Sequence, residues 1–197
     1  MLTRRILPCL NVIDGRVKKR LLGSERLLDV GDPVELAFKY QENGADGLVF
    51  ITDPKQDSSG QELLDMIEAI SQQVFMPLTV VCNVRTVAEV KKLLLAGADK
   101  VSLNSSAVAD PDLISAGARL FGNQCLVTAI DVKTEPTTGQ KMVYTHGGGQ
   151  AHRSRGACLG QAGRFPGLGE APGHFDGQGR HPGWVRHRLL QGVDGGR

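Results

Sequence analysis

The chain lacks several of the patterns that assign a protein to a class at first sight. Its 197 residues contain no apolar run of about 18 residues, the length that a membrane-spanning helix needs, and the start does not resemble a secretory signal. Its four cysteines form no C-x-x-C pair, and two of them lie in predicted strands. We therefore expect a cytoplasmic protein with reduced thiols and no disulfide frame or metal site.

Lysine is absent from residues 149–197, and this stretch differs from the rest of the chain in other respects. It holds 13 of the 25 glycines, four of the five histidines and the only tryptophan, and it carries a net charge of +4. Residues 1–148 have 16 basic and 18 acidic residues, a net charge of −2. Composition thus predicts an ordered part over 1–148 and an irregular, disordered tail over 149–197.

Residues 1–148 alternate between strand patterns and helix patterns. Predicted strands lie at 6–11, 48–52, 77–81, 100–103 and 125–131, and predicted helices at 32–44, 61–71, 86–95 and 110–120. The connector Gly-Ala-Asp closes a helix and opens a strand twice, at 44–46 and at 97–99. Strict alternation with internal repetition is typical of a parallel α/β protein.

No glycine-rich phosphate loop follows the first strand, although a doubly wound nucleotide-binding sheet would usually have one. The pattern therefore favours a (β/α)8 (TIM) barrel, of which about five β/α units are present. Because five strands cannot close a barrel, the predicted fold is an incomplete (β/α)8 barrel followed by an irregular tail. We also expect strands one and five to keep open edges.

Two of the predicted strands end in polar residues of the same pattern. Cys9-Leu10-Asn11-Val12 matches Ala129-Ile130-Asp131-Val132, and reactive groups collect at the carboxyl ends of parallel strands. Asn11 and Asp131 would then face one mouth of the barrel. The alternative is that both are core strands with an incidental polar end, and the pattern alone leaves the two interpretations open.

Beyond these patterns, residues 1–148 resemble the cyclase subunit of imidazole glycerol phosphate synthase, from histidine biosynthesis, nearly end to end. The phrases that carry the resemblance are Ile6–Val12, Asp14–Lys19, Gly31–Ala37, Leu94–Val108, Ala129–Asp131 and Tyr144–Gly148. The resemblance implies a lyase on a (β/α)8 barrel, without a cofactor. It also implies a glutaminase partner that supplies ammonia, and a phosphorylated ribonucleotide converted into imidazole glycerol phosphate and an aminoimidazole carboxamide ribotide.

The resemblance also implies roles for individual residues. Of the family's two acid–base aspartates, one corresponds to Asp131 and the other to Asn11, whose amide cannot exchange a proton as a carboxylate does. Lys19 corresponds to a family lysine near the mouth. Asn104 and Ser105 correspond to a loop that binds a substrate phosphate.

Three departures from the family pattern favour a second interpretation. Asn11 is the first, and the second is Thr52, which stands where the family has a strand-two carboxylate. The third is Val81-Cys82-Asn83, which replaces a glycine triplet whose backbone approaches a phosphate, and there Cβ atoms should obstruct that approach. The alternative is a non-catalytic remnant, or a half-barrel that binds only a phosphate or a partner.

The tail resembles nothing in its own reading frame, but a frame shifted by one nucleotide restores the family pattern. The codons of His174–His187 permit Thr-Ser-Met-Asp-Lys-Asp-Gly-Thr-Gln-Ala-Gly-Tyr-Asp-Ile, and those of Gln150–Arg153 permit Lys-Pro-Thr-Gly. We therefore expect 149–197 to be an out-of-frame translation that ended early, which would give a poorly stable, inactive product.

A native tail rich in glycine, arginine and histidine is the alternative. Its histidines and Cys158 match no zinc pattern, so we expect no metal site there. Its seven arginines would attract nucleic acid, but the aromatic residues that stack on bases are not interleaved with them. We therefore expect neither nucleic acid nor a membrane as a partner.

Overall fold

The computed structural model describes residues 5–21, 26–53, 60–129, 131–134, 141–145, 150–151, 184–185 and 190–191. Two compact units make up the chain, Met1–Val101 and Ser102–Arg197. None of the helices within the described ranges is long and apolar enough to cross a membrane.

Strands and helices alternate along much of the chain. The strands are β1 Cys9–Ile13, β2 Arg16–Arg20, β3 Leu27–Gly31, β4 Leu48–Thr52, β5 Leu78–Val81, β6 Lys100–Leu103, β7 Leu126–Thr128, β8 Asp131–Thr134, β9 Lys141–Thr145, β10 Gln150–Ala151, β11 Trp184–Val185 and β12 Leu190–Gln191. The α-helices are α1 Pro33–Glu42, α2 Gln61–Gln73, α3 Val87–Leu95, α4 Ser105–Ala109 and α5 Pro111–Phe121. A 3-10 turn, Asn123–Cys125, precedes β7.

The first unit is built on a sheet with the strand order β3-β2-β1-β4-β5. Strands β1, β4 and β5 are parallel; the β2–β3 hairpin and α1 connect β1 to β4, and α2 connects β4 to β5. This is the arrangement of consecutive β/α units in a barrel. The predicted fold class, an incomplete (β/α)8 barrel, is confirmed, and the β2–β3 hairpin is an insertion that the sequence did not predict in full.

Capping explains where the helices of the first unit begin. The Asp32 side chain accepts hydrogen bonds from the backbone N–H groups of Val34 (2.8 Å) and Glu35 (3.1 Å), with Pro33 at the first helical position. The Thr86 side chain accepts from the Glu89 N–H at 3.2 Å and so caps α3. These bonds satisfy donors that would otherwise have no partner in the first turn.

The Gly-Ala-Asp connector performs the same function at both of its positions. The Asp46 carboxylate accepts from the Ile6 N–H at 2.7 Å, while the Asp46 N–H donates to the Ile6 carbonyl at 3.0 Å. Asp99 makes the same pair of bonds with Leu78, at 2.8 and 2.9 Å. Each aspartate thus ties the start of its own strand to the start of the neighbouring strand.

Glycine is required at the second connector for a steric reason. Gly97 has a φ of +115°, a conformation that side-chain-bearing residues rarely adopt, and a Cβ atom there would collide with the side chain of Ser71. The close approach lets the Ser71 hydroxyl lie 3.4 Å from the Ala96 carbonyl. The repeat is therefore a packing device as well as a turn.

The second unit begins inside β6, at Ser102, and continues through α4, α5 and β7. The Ala129 N–H donates to the Leu103 carbonyl at 2.8 Å, so the ends of β6 and β7 lie side by side. Gly117 on α5 lies so close to Leu126 that a Cβ atom there would come within 2.7 Å of the Leu126 Cδ1. A separate sheet in this unit has the order β10-β9-β8-β11.

Two predictions about the strands were wrong in detail. The fifth strand covers Leu126–Thr128 rather than 125–131, and Asp131 begins β8, which pairs antiparallel with β9. Nor are the edges of strands one and five fully open: β1 pairs with β2 at Val12 and Ile13, and β7 pairs antiparallel with β12. Local hairpins and a short tail strand supply these partners.

Most of the tail lies outside the described residues. Within it the structure describes only β10, β11 and β12, each of two residues. The predicted boundary at residue 148 and the disorder and altered frame predicted for 149–197 stay predictions.

Replacing either connector aspartate with alanine should destabilise the first unit. Asp46→Ala or Asp99→Ala removes a charged acceptor from a backbone N–H, and we expect each to lower the free energy of unfolding by about 1 kcal/mol in urea titrations. The matched control is Asp65→Ala, which removes only a helix-surface bond to Gln61 and should cost about 0.3 kcal/mol. Equal losses at all three positions would contradict the proposed tie between strand starts.

Candidate active site

The sequence predicts Asn11 at the end of the first strand, but β1 spans Cys9–Ile13 and Asn11 lies in its middle, on the more exposed side of the strand. Leu10 and Val12 are buried and alternate with exposed Cys9 and Asn11. We call the side of Leu10 and Val12 the covered face of the sheet, and the side of Cys9 and Asn11 the open face. Asn11 pairs in register with Ile51, so these two residues share the open face.

Lys19 lies on β2, the strand next to β1, and its side chain is exposed. The two cations that precede it on β2 form ion pairs: the Arg16 guanidinium binds the carboxylate of Asp29, and the Lys18 ammonium lies 2.7 Å from Asp14. Among the side chains described on β2, Lys19 alone offers a cation outside these ion pairs. An available ammonium on the strand that pairs with β1 suits an anionic ligand.

The end of β4 carries a neutral group in place of a carboxylate. Thr52 is 5% exposed and pairs in register with Val12, which places it on the covered face, away from Asn11. Its hydroxyl donates to the Val81 carbonyl at 3.4 Å. Thr52 therefore joins the ends of β4 and β5 and is not available at the open face.

The segment after β5 contains a thiol that is held protonated. Cys82 is buried, and burial raises the pKa of its thiol to about 12, with the Glu89 carboxylate acting in the same direction. The Glu89 carboxylate also accepts from the Arg85 N–H at 2.8 Å. Cys82 is consequently neither a nucleophile nor a thiolate ligand at neutral pH.

In the second unit, Asn104 follows β6 directly and Ser105 begins the short helix α4. The adjacent Ser102, which sequence reasoning missed, is fully buried, and its hydroxyl has no hydrogen-bond partner in the described part of the chain. Its only sequence signal is a serine inside the apolar run Val101-Ser102-Leu103. A buried hydroxyl beside the predicted phosphate loop is available to a bound group or an ordered water.

Asp131 follows the end of β7 and opens β8, where its backbone pairs with Tyr144. Because Ala129 lies beside Leu103, Asn104 and Asp131 follow neighbouring strand ends of the second unit. Asn11 and Lys19 lie within two neighbouring strands of the first unit, β1 and β2. The roles of Asp131, Asn11, Lys19, Asn104 and Ser105 stay predictions.

No group of three or more histidine, cysteine, aspartate or glutamate side chains within the described residues is arranged to hold a metal ion. The three cysteines whose side chains are described, Cys9, Cys82 and Cys125, are free thiols.

Parallel β/α units with polar residues after their strands define the class of (β/α)8-barrel proteins. The chain belongs to the histidine biosynthesis protein family, whose model matches residues 5–159. The predicted resemblance to the cyclase subunit of imidazole glycerol phosphate synthase is confirmed by its relatives.

Three of these relatives are proteins named imidazole glycerol phosphate synthase subunit HisF. That of Limosilactobacillus fermentum is 68% identical over 148 residues, which are 75% of this chain and 56% of the relative. That of Lactiplantibacillus plantarum is 52% identical, and that of Geobacillus kaustophilus 48%, each over 151 residues, 77% of this chain and 60% of the relative. The chain thus spans less than two thirds of the length of these relatives.

The burial of Cys82 predicts a difference in thiol reactivity. In the folded chain at pH 8, iodoacetamide should alkylate exposed Cys9 readily and leave Cys82 unmodified, because a thiol with a pKa near 12 has almost no thiolate at that pH. Peptide mapping by mass spectrometry measures both sites in one sample. In urea the two should react alike, and equal reaction in the folded chain would contradict the described burial.

Proposed function

We propose that the chain represents the cyclase subunit of imidazole glycerol phosphate synthase, a lyase of histidine biosynthesis. Such an enzyme uses ammonia to form imidazole glycerol phosphate and an aminoimidazole carboxamide ribotide from a phosphorylated ribonucleotide. The observation that carries the proposal is the 68% identity to a HisF subunit over 148 residues, together with polar groups after parallel strands. No cofactor is needed, and the cytoplasm is the expected compartment.

In this proposal each of the predicted site residues has its own role in the reaction. Asp131 exchanges protons with the substrate as general acid and base, while Asn11 occupies the second acid–base position as a neutral amide that can only hydrogen-bond. Lys19 attracts an anionic group of the substrate, and Asn104 and Ser105 hold a phosphate. The ammonium of Lys19, which is exposed and forms no ion pair with a described residue, supports its part in this assignment.

A glutaminase subunit is the proposed partner and the source of ammonia. The carboxyl ends of the strands must stay open to the substrate, so a partner has to use another surface. At the opposite end, where the strands begin, Ile6, Leu7 and Phe75 expose apolar side chains, with Phe75 87% and Ile6 67% exposed. Exposed apolar groups of this kind favour a protein contact.

A non-catalytic half-barrel that binds a phosphate or a partner is the second candidate. Asn11 lacks a titratable group, and Thr52 is tied to the Val81 carbonyl on the covered face. Cys82 fills space where the family has glycine. These features favour the binding half-barrel as the function of this chain. The family membership indicates that the chain derives from a cyclase.

We further propose that residues 149–197 are an out-of-frame translation. The family match ends at residue 159, and the relatives align over only 148 or 151 residues, which supports a change near the start of the tail. Sequencing the coding DNA across the codons of Gly147-Gly148-Gly149 tests this. One nucleotide that restores Lys-Pro-Thr-Gly and a longer open frame is the expected result, and an intact frame in several independent clones would contradict it.

Restoring a carboxylate at position 11 should raise cyclase activity. We expect Asn11→Asp, in the frame-restored protein supplied with ammonia, to raise kcat by roughly 100-fold or more, since a positioned general acid or base contributes about 10²–10⁴. The assay follows formation of imidazole glycerol phosphate.

The matched control is Asp131→Asn in the same protein, which should abolish turnover. The unaltered 197-residue chain should show none, and measurable turnover by it would favour catalysis without a second carboxylate. An Asn11→Asp variant that folds and yet remains no faster would support the binding half-barrel.

A further inference from the structure

Strand β3 of the β2–β3 hairpin buries little apolar surface. Leu27, Leu28, Asp29 and Val30 are all exposed, although β3 pairs with β2 along its length. On β2, Val17 is the residue that packs into the core. An edge strand with so little burial depends on its backbone ladder and on side-chain bonds for its position.

A pair of side-chain hydrogen bonds between Arg16 and Asp29 joins the two strands of the hairpin. The Arg16 guanidinium donates through Nε to Asp29 Oδ2 at 3.1 Å and through Nη2 to Asp29 Oδ1 at 3.2 Å. Two parallel bonds of this kind fix the orientation of both side chains. The register is irregular between Val17 and Lys18, so this fork lies beside a bulge that changes the direction of β2 just before Lys19.

The surrounding charges keep the fork intact at neutral pH. The hydrogen bond from Arg16 lowers the pKa of the Asp29 carboxyl, and Lys18 opposite it and the backbone of Gly31 act in the same direction. Asp29, Asp32 and Glu35 together raise the pKa of Arg16. The Lys18 ammonium itself lies 2.7 Å from the Asp14 carboxylate and forms no hydrogen bond to Asp29 among the described contacts.

We propose that Arg16 and Asp29 are positioning residues, which hold β2 against β3 and thereby place Lys19 for an anionic group of the substrate. The proposal rests on the function proposed above for Lys19. Arg16 and Asp29 themselves are engaged with one another and contact no reacting group. Lys19 pairs in register with Leu28, one residue from Asp29, so a loosened β3 displaces the strand that carries Lys19.

Amide hydrogen exchange of the 197-residue chain tests the positioning directly. At low salt, Asp29→Asn should accelerate exchange in peptides covering 16–21 and 27–31 by about two- to fivefold, the size expected for a half-exposed ion pair. The charge exchange R16D/D29R should restore most of the protection. Asp14→Asn is the matched control, because it removes a carboxylate from the same hairpin without touching the β2–β3 fork.

Repeating the exchange with inorganic phosphate examines Lys19 without requiring turnover. Phosphate should slow exchange over 16–21 in the unaltered chain and in Asp14→Asn, more weakly in Asp29→Asn, and not at all in Lys19→Met. In a frame-restored enzyme, Asp29→Asn should raise KM for the ribonucleotide with little change in kcat, because the pair acts on binding.

The sign of the pH dependence follows from the lowered pKa of Asp29. The contribution of the pair is fully present above the ordinary carboxyl pKa and is lost as pH falls through the lowered value. The difference between the unaltered chain and Asp29→Asn, measured at the same pH, should therefore be constant through the neutral range and vanish only in strong acid.

The outcomes separate this proposal from the proposed function. Unchanged exchange in Asp29→Asn overturns the positioning role, and so does accelerated exchange with unchanged phosphate protection, which would make the pair merely structural. An absence of phosphate protection in the unaltered chain also overturns it. If phosphate protection depends on the pair but no cyclase turnover is found in any frame, the positioning stands and the proposed reaction fails.

Discussion

The placement of every side chain on the open face of the first unit depends on the register in which its parallel strands pair. Side chains alternate along a strand, so a slip of one residue would exchange the two faces. Asp46 binds both backbone groups of Ile6 before β1 and β4 begin, which brings Cys9 beside Val49. Asn11 consequently lies on the open face, while Thr52 is carried to the covered one.

The fold could be predicted where local chemistry decides it. Asp32-Pro33 starts a helix because a capping side chain and a preset φ act together, and the periodic apolar residues of α2 and α3 give their extents within two residues. Strand β3 escaped prediction because its residues 27–31 show no alternation of buried and exposed positions. The fifth strand was predicted too long because an apolar run cannot reveal where the chain leaves one sheet for an antiparallel partner.

The candidate site, like the fold, could be predicted from the sequence only in part. Position 11 was predicted as the polar end of an apolar strand, whereas it lies inside β1, and the assignment of Lys19 came from resemblance. The sequence could not show which of the charges near Lys19 form ion pairs. Arg16 and Asp29 are 13 residues apart and form one only because β3 folds back along β2. The donation from the Thr52 hydroxyl to Val81 also required the register of β4 and β5.

Asp29 has a second consequence, which concerns the solubility of the chain. β3 ends the strand order of the first unit, so its outer backbone groups are exposed at a sheet edge. Leu27, Leu28 and Val30 stand exposed along it, a sequence well suited to pairing with another extended chain. The charged carboxylate between Leu28 and Val30 interrupts this apolar run, as acidic and basic gatekeepers do on natural edge strands. The residue that binds Arg16 therefore also places a charge where a second molecule would add its strand.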